Sequence, residues 1–172
     1  PIATAFAKYF PVVGFDVDEA RVSELIDGYD RTGELSTEAL NALNQLTLSS
    51  NPNDMAECDF YIVTVPTPVD ESNQPDFSPL ISASNTVGKF LNADDIVVFE
   101  STVYPGATEE ICVPVLETVS GLKFNADFFV GYSPERINPG DKTRGLTDIV
   151  KVTSGSTPEA AKTIDDIYAK VI

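Results

Sequence analysis

The sequence is poor in the residues that most often bind metals or act as nucleophiles. Its 172 residues include no histidine and only two cysteines, Cys58 and Cys112, which lack metal-ligand spacing. We therefore expect no metal site. Hydrolases that use a Ser-His-Asp or Cys-His arrangement are excluded for the same reason. Both cysteines lie in or beside apolar segments, so we interpret them as core thiols.

Positive charge is also scarce. Eleven lysines and arginines stand against 27 aspartates and glutamates, which gives a formal net charge of −16. Such a chain repels a phosphate backbone or an anionic membrane surface, so we expect neither nucleic-acid nor membrane binding. An anionic nucleotide can still bind through backbone amides. No apolar run has transmembrane length and the first residues lack a signal-peptide pattern, so the expected location is cytoplasmic.

Short β-branched and aromatic runs alternate with segments of helical spacing. The predicted strands are 12–16, 60–65, 96–101, 128–132 and 149–154, with 46–48 as a candidate for a further short strand. The predicted helices are 18–28, 36–45, 79–91, 108–119 and 157–171. Nearly continuous apolar strands are typical of a parallel sheet covered by helices on both faces. The pattern predicts a doubly wound, Rossmann-like α/β fold over residues 1–172.

The first ten residues read as a helix that runs directly into the strand at Val12. A doubly wound domain normally opens with a strand and a Gly-rich turn before that helix, and neither precedes Pro1. We therefore expect an N-terminally truncated domain that lacks this strand and turn. Because its unpaired strand edges favour aggregation, it is expected to behave poorly alone.

Asp16 ends the strand that follows the first helix. A dinucleotide-binding fold places an acid there to accept hydrogen bonds from the adenosine ribose, and this acid disfavours NADP. Alternatively, Asp16 or Asp18 caps the following helix, and the pattern leaves both interpretations open. Arg21 either lies along the same cofactor edge or is a solvated helix residue. The pattern alone favours the solvated helix residue.

Three polar segments each follow a predicted strand: 64–70, 100–106 and 132–140. Open α/β sheets bind ligands at this carboxyl edge. Thr67 offers a hydroxyl and an amide to a cofactor, and Thr102 offers a hydroxyl that positions a water or a nicotinamide. Glu135 is a candidate general base and Arg136 a contact for substrate oxygens. The alternative for segment 64–70 is a rigid proline loop without a ligand. The alternative for Glu135 and Arg136 is a surface ion pair within a turn.

Taken together, these three segments resemble the signatures of the UDP-glucose/GDP-mannose dehydrogenase family. Gly14-Phe15-Asp16 and Asp30-Arg31-Thr32-Gly33 extend the resemblance over essentially the whole chain. It implies two successive hydride transfers to NAD, which convert a sugar 6-hydroxyl to an aldehyde and then, through a cysteine thioester, to a carboxylate. Water then hydrolyses the thioester.

The resemblance also implies roles for individual residues. Asp16 and Arg21 contact the adenosine part of NAD, and Thr67 and Thr102 line its path towards the nicotinamide. Thr102 also holds the catalytic water, which Glu135 helps to activate. The residues that lie against the substrate are Glu135, Arg136, Ile137 and Asn138.

Pro139 stands where UDP-glucose enzymes commonly have a second glutamate. The segment resembles instead the N-acetylhexosamine branch, which includes Vi-polysaccharide-type UDP-N-acetylglucosamine enzymes, and it leaves the sugar epimer open. The family's lysine, asparagine and nucleophilic cysteine, the central helix of its homodimers and its C-terminal UDP-sugar domain lie beyond the matching part. This chain alone is therefore expected to be inactive. Two rival interpretations are a non-catalytic NAD or nucleotide sensor and a methyltransferase with the same layered sheet.

Overall fold

A computed structural model describes residues 1–42, 44–69, 73–135 and 150–172. The helices are Ile2–Phe6 (α1), Glu19–Ile26 (α2), Thr37–Asn41 (α3), Ser78–Gly88 (α4), Val113–Ser120 (α5) and Pro158–Tyr168 (α6). The strands are Val12–Phe15 (β1), Leu46–Ser49 (β2), Phe60–Val63 (β3), Ile96–Phe99 (β4), Phe129–Tyr132 (β5) and Ser154–Gly155 (β6). The elements fall into two compact units, which comprise mainly residues 1–57 and 58–170.

The first unit contains a two-stranded parallel sheet. β1 pairs with β2 from Val12 opposite Leu46 to Phe15 opposite Ser49, which confirms the short strand expected at 46–48. α2 begins after Asp18, whose carboxylate accepts a hydrogen bond from the backbone N–H of Arg21 and so caps the helix. Every residue of β1 is only half-buried, so this sheet has a modest apolar core.

The second unit contains a four-stranded sheet in the order β3-β4-β5-β6. β3, β4 and β5 are parallel, as predicted. The parallel strand expected at 149–154 is wrong in extent and direction, because within the described residues from Val150 onward only Ser154 and Gly155 form a strand, antiparallel to β5. β-propensity carries no information on direction. The pairing is set by Ser156, whose backbone N–H donates to the Val130 carbonyl and whose hydroxyl accepts from the Val130 N–H.

The core of the second unit surrounds β4. Val97 and Val98 are both fully buried, and since neighbouring strand residues point to opposite faces, both faces of β4 are covered. Ile164 of α6 is also fully buried and packs beside Gly131 of β5. A Cβ at Gly131 would lie 2.6 Å from the Ser154 carbonyl oxygen, so only glycine permits this close approach.

The helix predicted at 108–119 has two parts. Thr108–Cys112 forms a π-helical turn, and α5 follows it directly. Single π turns within helices are frequent at functional sites. Cys112 is buried, as predicted, while Cys58 is half-buried. No helix among the described residues has the length and apolarity needed to span a membrane.

Candidate functional site

The carboxyl ends of β3, β4 and β5 meet at one edge of the second sheet. The hydrogen-bond ladder continues past the strands, because the Glu100 N–H donates to the Val63 carbonyl at 2.9 Å and the Ser133 N–H to the Phe99 carbonyl at 3.0 Å. The Ser101 hydroxyl donates to the Val65 carbonyl at 2.5 Å and ties two of the loops together. The three polar segments predicted at this edge therefore begin side by side.

Two predicted cofactor residues lie on these loops. The Thr67 hydroxyl is buried and has no hydrogen-bond partner among the described residues. A buried hydroxyl without a partner is costly, so a water molecule or a ligand is expected to complete it. Thr102 is exposed just beyond β4. The Thr102 side chain is thus accessible to a bound molecule, whereas the Thr67 hydroxyl is buried and lacks a partner among the described residues.

A cluster of charged side chains lies at the same edge. The Lys151 ammonium is 3.1 Å from Glu100 Oε2 and 3.7 Å from Glu135 Oε2. The Tyr168 hydroxyl donates to Glu100 Oε1 at 2.6 Å. The side chains of Lys151 and Glu100 are only 6% and 4% exposed, whereas that of Glu135 is 42% exposed. One buried cation therefore faces one buried and one accessible carboxylate.

The electrostatics of this cluster are strongly perturbed. Burial raises the pKa of Glu100, and the neighbouring Glu135 raises it further, while Tyr168 and Lys151 offset only part of the effect. Burial, followed by the Glu100 charge, raises the pKa of Tyr168. Perturbed ionisable groups at a ligand-facing edge favour a functional role over a purely structural one.

Sequence reasoning missed the contribution of Glu100, Lys151 and Tyr168. One signal was available, since Glu100 is a charged residue that directly follows an entirely buried strand. The partnership itself was not readable, because Lys151 and Tyr168 lie 51 and 68 residues further along the chain. Arg136, Ile137 and Asn138, which the resemblance assigned to the substrate, lie outside the described residues.

A cavity of about 280 Å³ opens beside this edge. Its walls are formed by residues 103–106, 130–132 and 154–156, together with Thr108 and Glu109. The carboxylate of Glu109 at the wall disfavours a phosphate group there. The cavity therefore suits a neutral part of a ligand better than its phosphates.

Asp16 lies just beyond β1 in the first unit and is exposed. Its Oδ1 accepts a hydrogen bond from the Asp18 N–H at 2.9 Å. Asp18, rather than Asp16, caps α2. The Asp16 carboxylate therefore retains acceptor sites for a ligand hydroxyl.

Arg21 is not the solvated helix residue that the pattern alone favoured. Its Nη2 donates to Asp30 Oδ1 at 2.5 Å, and its side chain is 19% exposed. Its Nη1 is buried and lacks a hydrogen-bond partner among the described residues. Asp30 also accepts hydrogen bonds from Thr32, Glu34 and Leu35. Burial alone would raise the pKa of Asp30, but the bonds from Arg21, Thr32 and Leu35 hold it well below its usual range.

The fold and this edge define a nucleotide-binding α/β domain, and comparison with known proteins gives its family. Residues 1–172 match the UDP-glucose/GDP-mannose dehydrogenase family, NAD binding domain, and the chain belongs to that family. NAD is accordingly its cofactor, which confirms the expectation from the sequence. The Thr67 hydroxyl, which has no partner within the described part of the chain, and the open acceptor sites of Asp16 are compatible with this cofactor.

Several relatives match the entire chain. It is 55% identical over 172 residues to UDP-N-acetyl-D-glucosamine 6-dehydrogenase of Pseudomonas aeruginosa and covers 41% of that protein. It is 52% identical to Protein CapL of Staphylococcus aureus and covers 40% of it. The structure of UDP-D-ManNAc dehydrogenase from Pyrococcus horikoshii matches with a TM-score of 0.89 at 28% identity, over 100% of this chain and 42% of that chain. The chain thus spans about two-fifths of the length of these relatives, and the predicted Rossmann-like fold is confirmed.

Proposed function

We propose that the complete protein oxidises the 6-hydroxyl of a UDP-N-acetylhexosamine to a carboxylate with NAD, as a step towards a cell-surface polysaccharide. The present chain supplies the NAD-binding part. The observation that carries the proposal is 55% identity over all 172 residues to UDP-N-acetyl-D-glucosamine 6-dehydrogenases. The UDP-N-acetyl-D-mannosamine dehydrogenase of Pyrococcus horikoshii is only 28% identical, so the gluco sugar is the first substrate to test.

Cofactor binding is assigned to residues of both units, each considered separately. In the first unit, Asp16 accepts hydrogen bonds from the adenosine ribose, and the buried Nη1 of Arg21 donates to the same part of NAD. In the second unit, Thr67 and Thr102 line the path towards the nicotinamide. The Thr67 hydroxyl supports this assignment, since no described residue bonds to it and a cofactor would satisfy it.

When bound, NAD supplies the hydride acceptor for both oxidation steps. The chain's own contribution to the chemistry is the pair Thr102 and Glu135. Both are exposed at the carboxyl edge, where the Thr102 hydroxyl orients a water and the Glu135 carboxylate accepts its proton. We further assign Arg136, Ile137 and Asn138 to contacts with the sugar nucleotide. The nucleophilic cysteine that the family uses lies outside the matching part, since neither thiol here follows its motif.

We also propose that the complete protein is a cytoplasmic homodimer that binds neither nucleic acid nor membranes. The formal charge of −16 supports the last two points, because it opposes contact with anionic polymers and surfaces. Light scattering after gel filtration measures the mass of the assembly. A mass equal to one subunit contradicts the dimer.

The test of the enzymatic proposal is NADH formation at 340 nm by the complete gene product. UDP-N-acetylglucosamine, its galacto and manno epimers and UDP-glucose are offered in parallel. Turnover of an N-acetylated sugar well above UDP-glucose, with about two NADH per sugar, supports the proposal because a four-electron oxidation releases two hydrides. NAD binding in calorimetry without NADH formation from any sugar favours a sensor instead.

A further inference from the structure

Lys151 is an unusually buried cation. Lysine side chains are rarely buried unless they are paired, and that of Lys151 is only 6% exposed. Its ammonium lies 3.1 Å from a carboxylate oxygen of the buried Glu100, and this one contact would be enough to form an ion pair. The same ammonium is 3.7 Å from Glu135, whose side chain is 42% exposed. The cation is therefore shared between a buried and an accessible carboxylate.

Glu100 fixes the position of this cation. Its Oε2 faces Lys151, and its Oε1 accepts from the Tyr168 hydroxyl at 2.6 Å. Tyr168 is 2% exposed at the end of α6, a helix whose N-terminus is capped by the Thr157 hydroxyl. The Glu100 backbone is held by its N–H bond to the Val63 carbonyl. Because the lysine stem is flexible, this anchor is what gives the ammonium a defined place.

Stability alone does not account for the arrangement. A buried ion pair contributes little net stability compared with a well-packed apolar pair, because desolvation of the two charges offsets their attraction. The contact that an apolar pair would not provide is the one between Lys151 and Glu135. That contact joins the buried pair to an accessible carboxylate at the sheet edge.

We propose that Lys151 is a positioning residue, which, anchored by Glu100 and Tyr168, holds the Glu135 carboxylate in place at the carboxyl edge of the second sheet. The inference rests on the proposed function in that Glu135 acts there as the base. Lys151 and Glu100 act through Glu135 and need not touch the substrate. Loss of Lys151 should therefore lower kcat more than it changes KM for the sugar.

The test compares four variants of the complete gene product with the wild type. Lys151→Met leaves Glu100 buried without a cation, so we expect the Tm of this variant to fall. Glu100→Gln/Lys151→Met removes both buried charges, so its Tm recovers. In both variants we expect kcat for NADH formation to fall by about ten- to hundredfold, the range expected when a catalytic group is misplaced by about 1 Å. Lys151→Arg keeps a cation and should restore most of the lost kcat.

Lys162→Met is the matched control. Lys162 lies on α6, is 75% exposed and pairs with Asp166 four residues later, so its loss should leave kcat unchanged. A double variant that recovers kcat together with Tm would show that the charge pair is only structural, and the inference would be wrong. The double variant also keeps the test valid if Lys151→Met does not fold.

Crystal structures separate this inference from the proposed function. We expect the Glu135 carboxylate to be displaced in the double variant relative to the wild type, and to keep its position in Lys151→Arg. An unchanged Glu135 in the double variant overturns the inference whatever the activity. If the wild type forms no NADH, the proposed function fails, and the position of Glu135 still decides whether Lys151 places it.

Discussion

Asp30 in the first unit and Glu100 in the second are both buried carboxylates paired with a cation, yet their pKa values move in opposite directions. Asp30 accepts hydrogen bonds from the Arg21 guanidinium, the Thr32 hydroxyl and three backbone N–H groups, and its pKa is lowered. Glu100 is bonded by Tyr168 and Lys151, and its pKa is raised by burial. The balance between burial, which raises each pKa, and the hydrogen bonds and cations that lower it decides the sign.

The difference separates a carboxylate that holds a loop together from one that lies at a ligand-facing sheet edge. Asp30 uses its bonds to close the loop that runs to Leu35, and all of its side-chain partners lie within nine residues of it in the sequence. Glu100 shares its cation with the accessible Glu135 at a ligand-facing edge. A buried acid that shares its cation with an accessible carboxylate beside an open edge is the better indicator of function.

The largest expected effect is on the stability of the first unit. Asp30→Ala removes the carboxylate that accepts the side-chain-mediated hydrogen bonds of the loop and leaves Arg21 without its buried partner, so we expect a loss of about 3–5 kcal/mol. Hydrogen exchange of the Glu34 and Leu35 amides in the complete gene product measures this loss locally. Asp27→Ala, at an exposed position three residues earlier, is the control and should have little effect. Equal protection of the two amides in the Asp30 variant and the wild type would contradict the structural role.

Two glycine substitutions test the packing of the two units. A Cβ at Gly155 would collide with the backbone of Ala161 in α6, so Gly155→Ala should cost about 3 kcal/mol. Gly33 in the first unit has φ of +68° and nothing within 4 Å of an added Cβ. Gly33→Ala should therefore cost only about 1–2 kcal/mol of backbone strain. Urea unfolding measures both free-energy losses, and equal losses would contradict the contrast between the close-packed site at Gly155 and the open site at Gly33.

The pH dependence of stability should have opposite signs for the two carboxylates. The pKa of Asp30 is lowered from its usual 3.8, so its contribution is present above pH 3.8 and is lost as the pH falls below that value. The pKa of Glu100 is raised from its usual 4.5, so the folded state binds more protons than the unfolded state and stability falls as the pH rises above 4.5.

The unfolding free energy of three proteins, measured from pH 3 to 7, checks these signs. The difference in unfolding free energy by which the wild type exceeds Asp30→Asn should shrink below pH 3.8. The unfolding free energy of Glu100→Gln should rise relative to that of the wild type as the pH rises above 4.5, because the variant lacks the carboxyl group that loses its proton. Parallel curves for all three proteins would contradict the opposite shifts.

The smallest expected effect on activity comes from removing Cys58 and Cys112, the two thiols of the second unit. We expect neither thiol to take part in the reaction. Burial raises the pKa of Cys58 and of Cys112, so neither forms a thiolate readily. Iodoacetamide should modify both slowly at neutral pH, and the buried Cys112 more slowly. Cys58→Ala/Cys112→Ala should keep kcat within about twofold, since a thiol without thiolate character is not a nucleophile. Loss of NADH formation in this variant would assign one of them to the reaction.

The sequence by itself determined most of the element order and the place of the candidate site. The first four predicted main strands begin within one residue of β1, β3, β4 and β5, and Thr157-Pro158-Glu159 marked the start of α6. Apolar periodicity and capping are local signals, so they can be read from neighbouring residues. The loops that follow the three parallel strands were expected at one edge because parallel strands all end on the same side.

Only the tertiary structure decided which distant residues meet there. The antiparallel direction of β6, the π turn before α5 and the contacts that Lys151 and Tyr168 make with Glu100 depend on how the elements pack. Arg21 illustrates the same limit, since its buried pairing with Asp30 depends on the loop that follows α2. Local pattern reports propensity and burial, whereas pairing between residues far apart in sequence is fixed by the packing of whole elements.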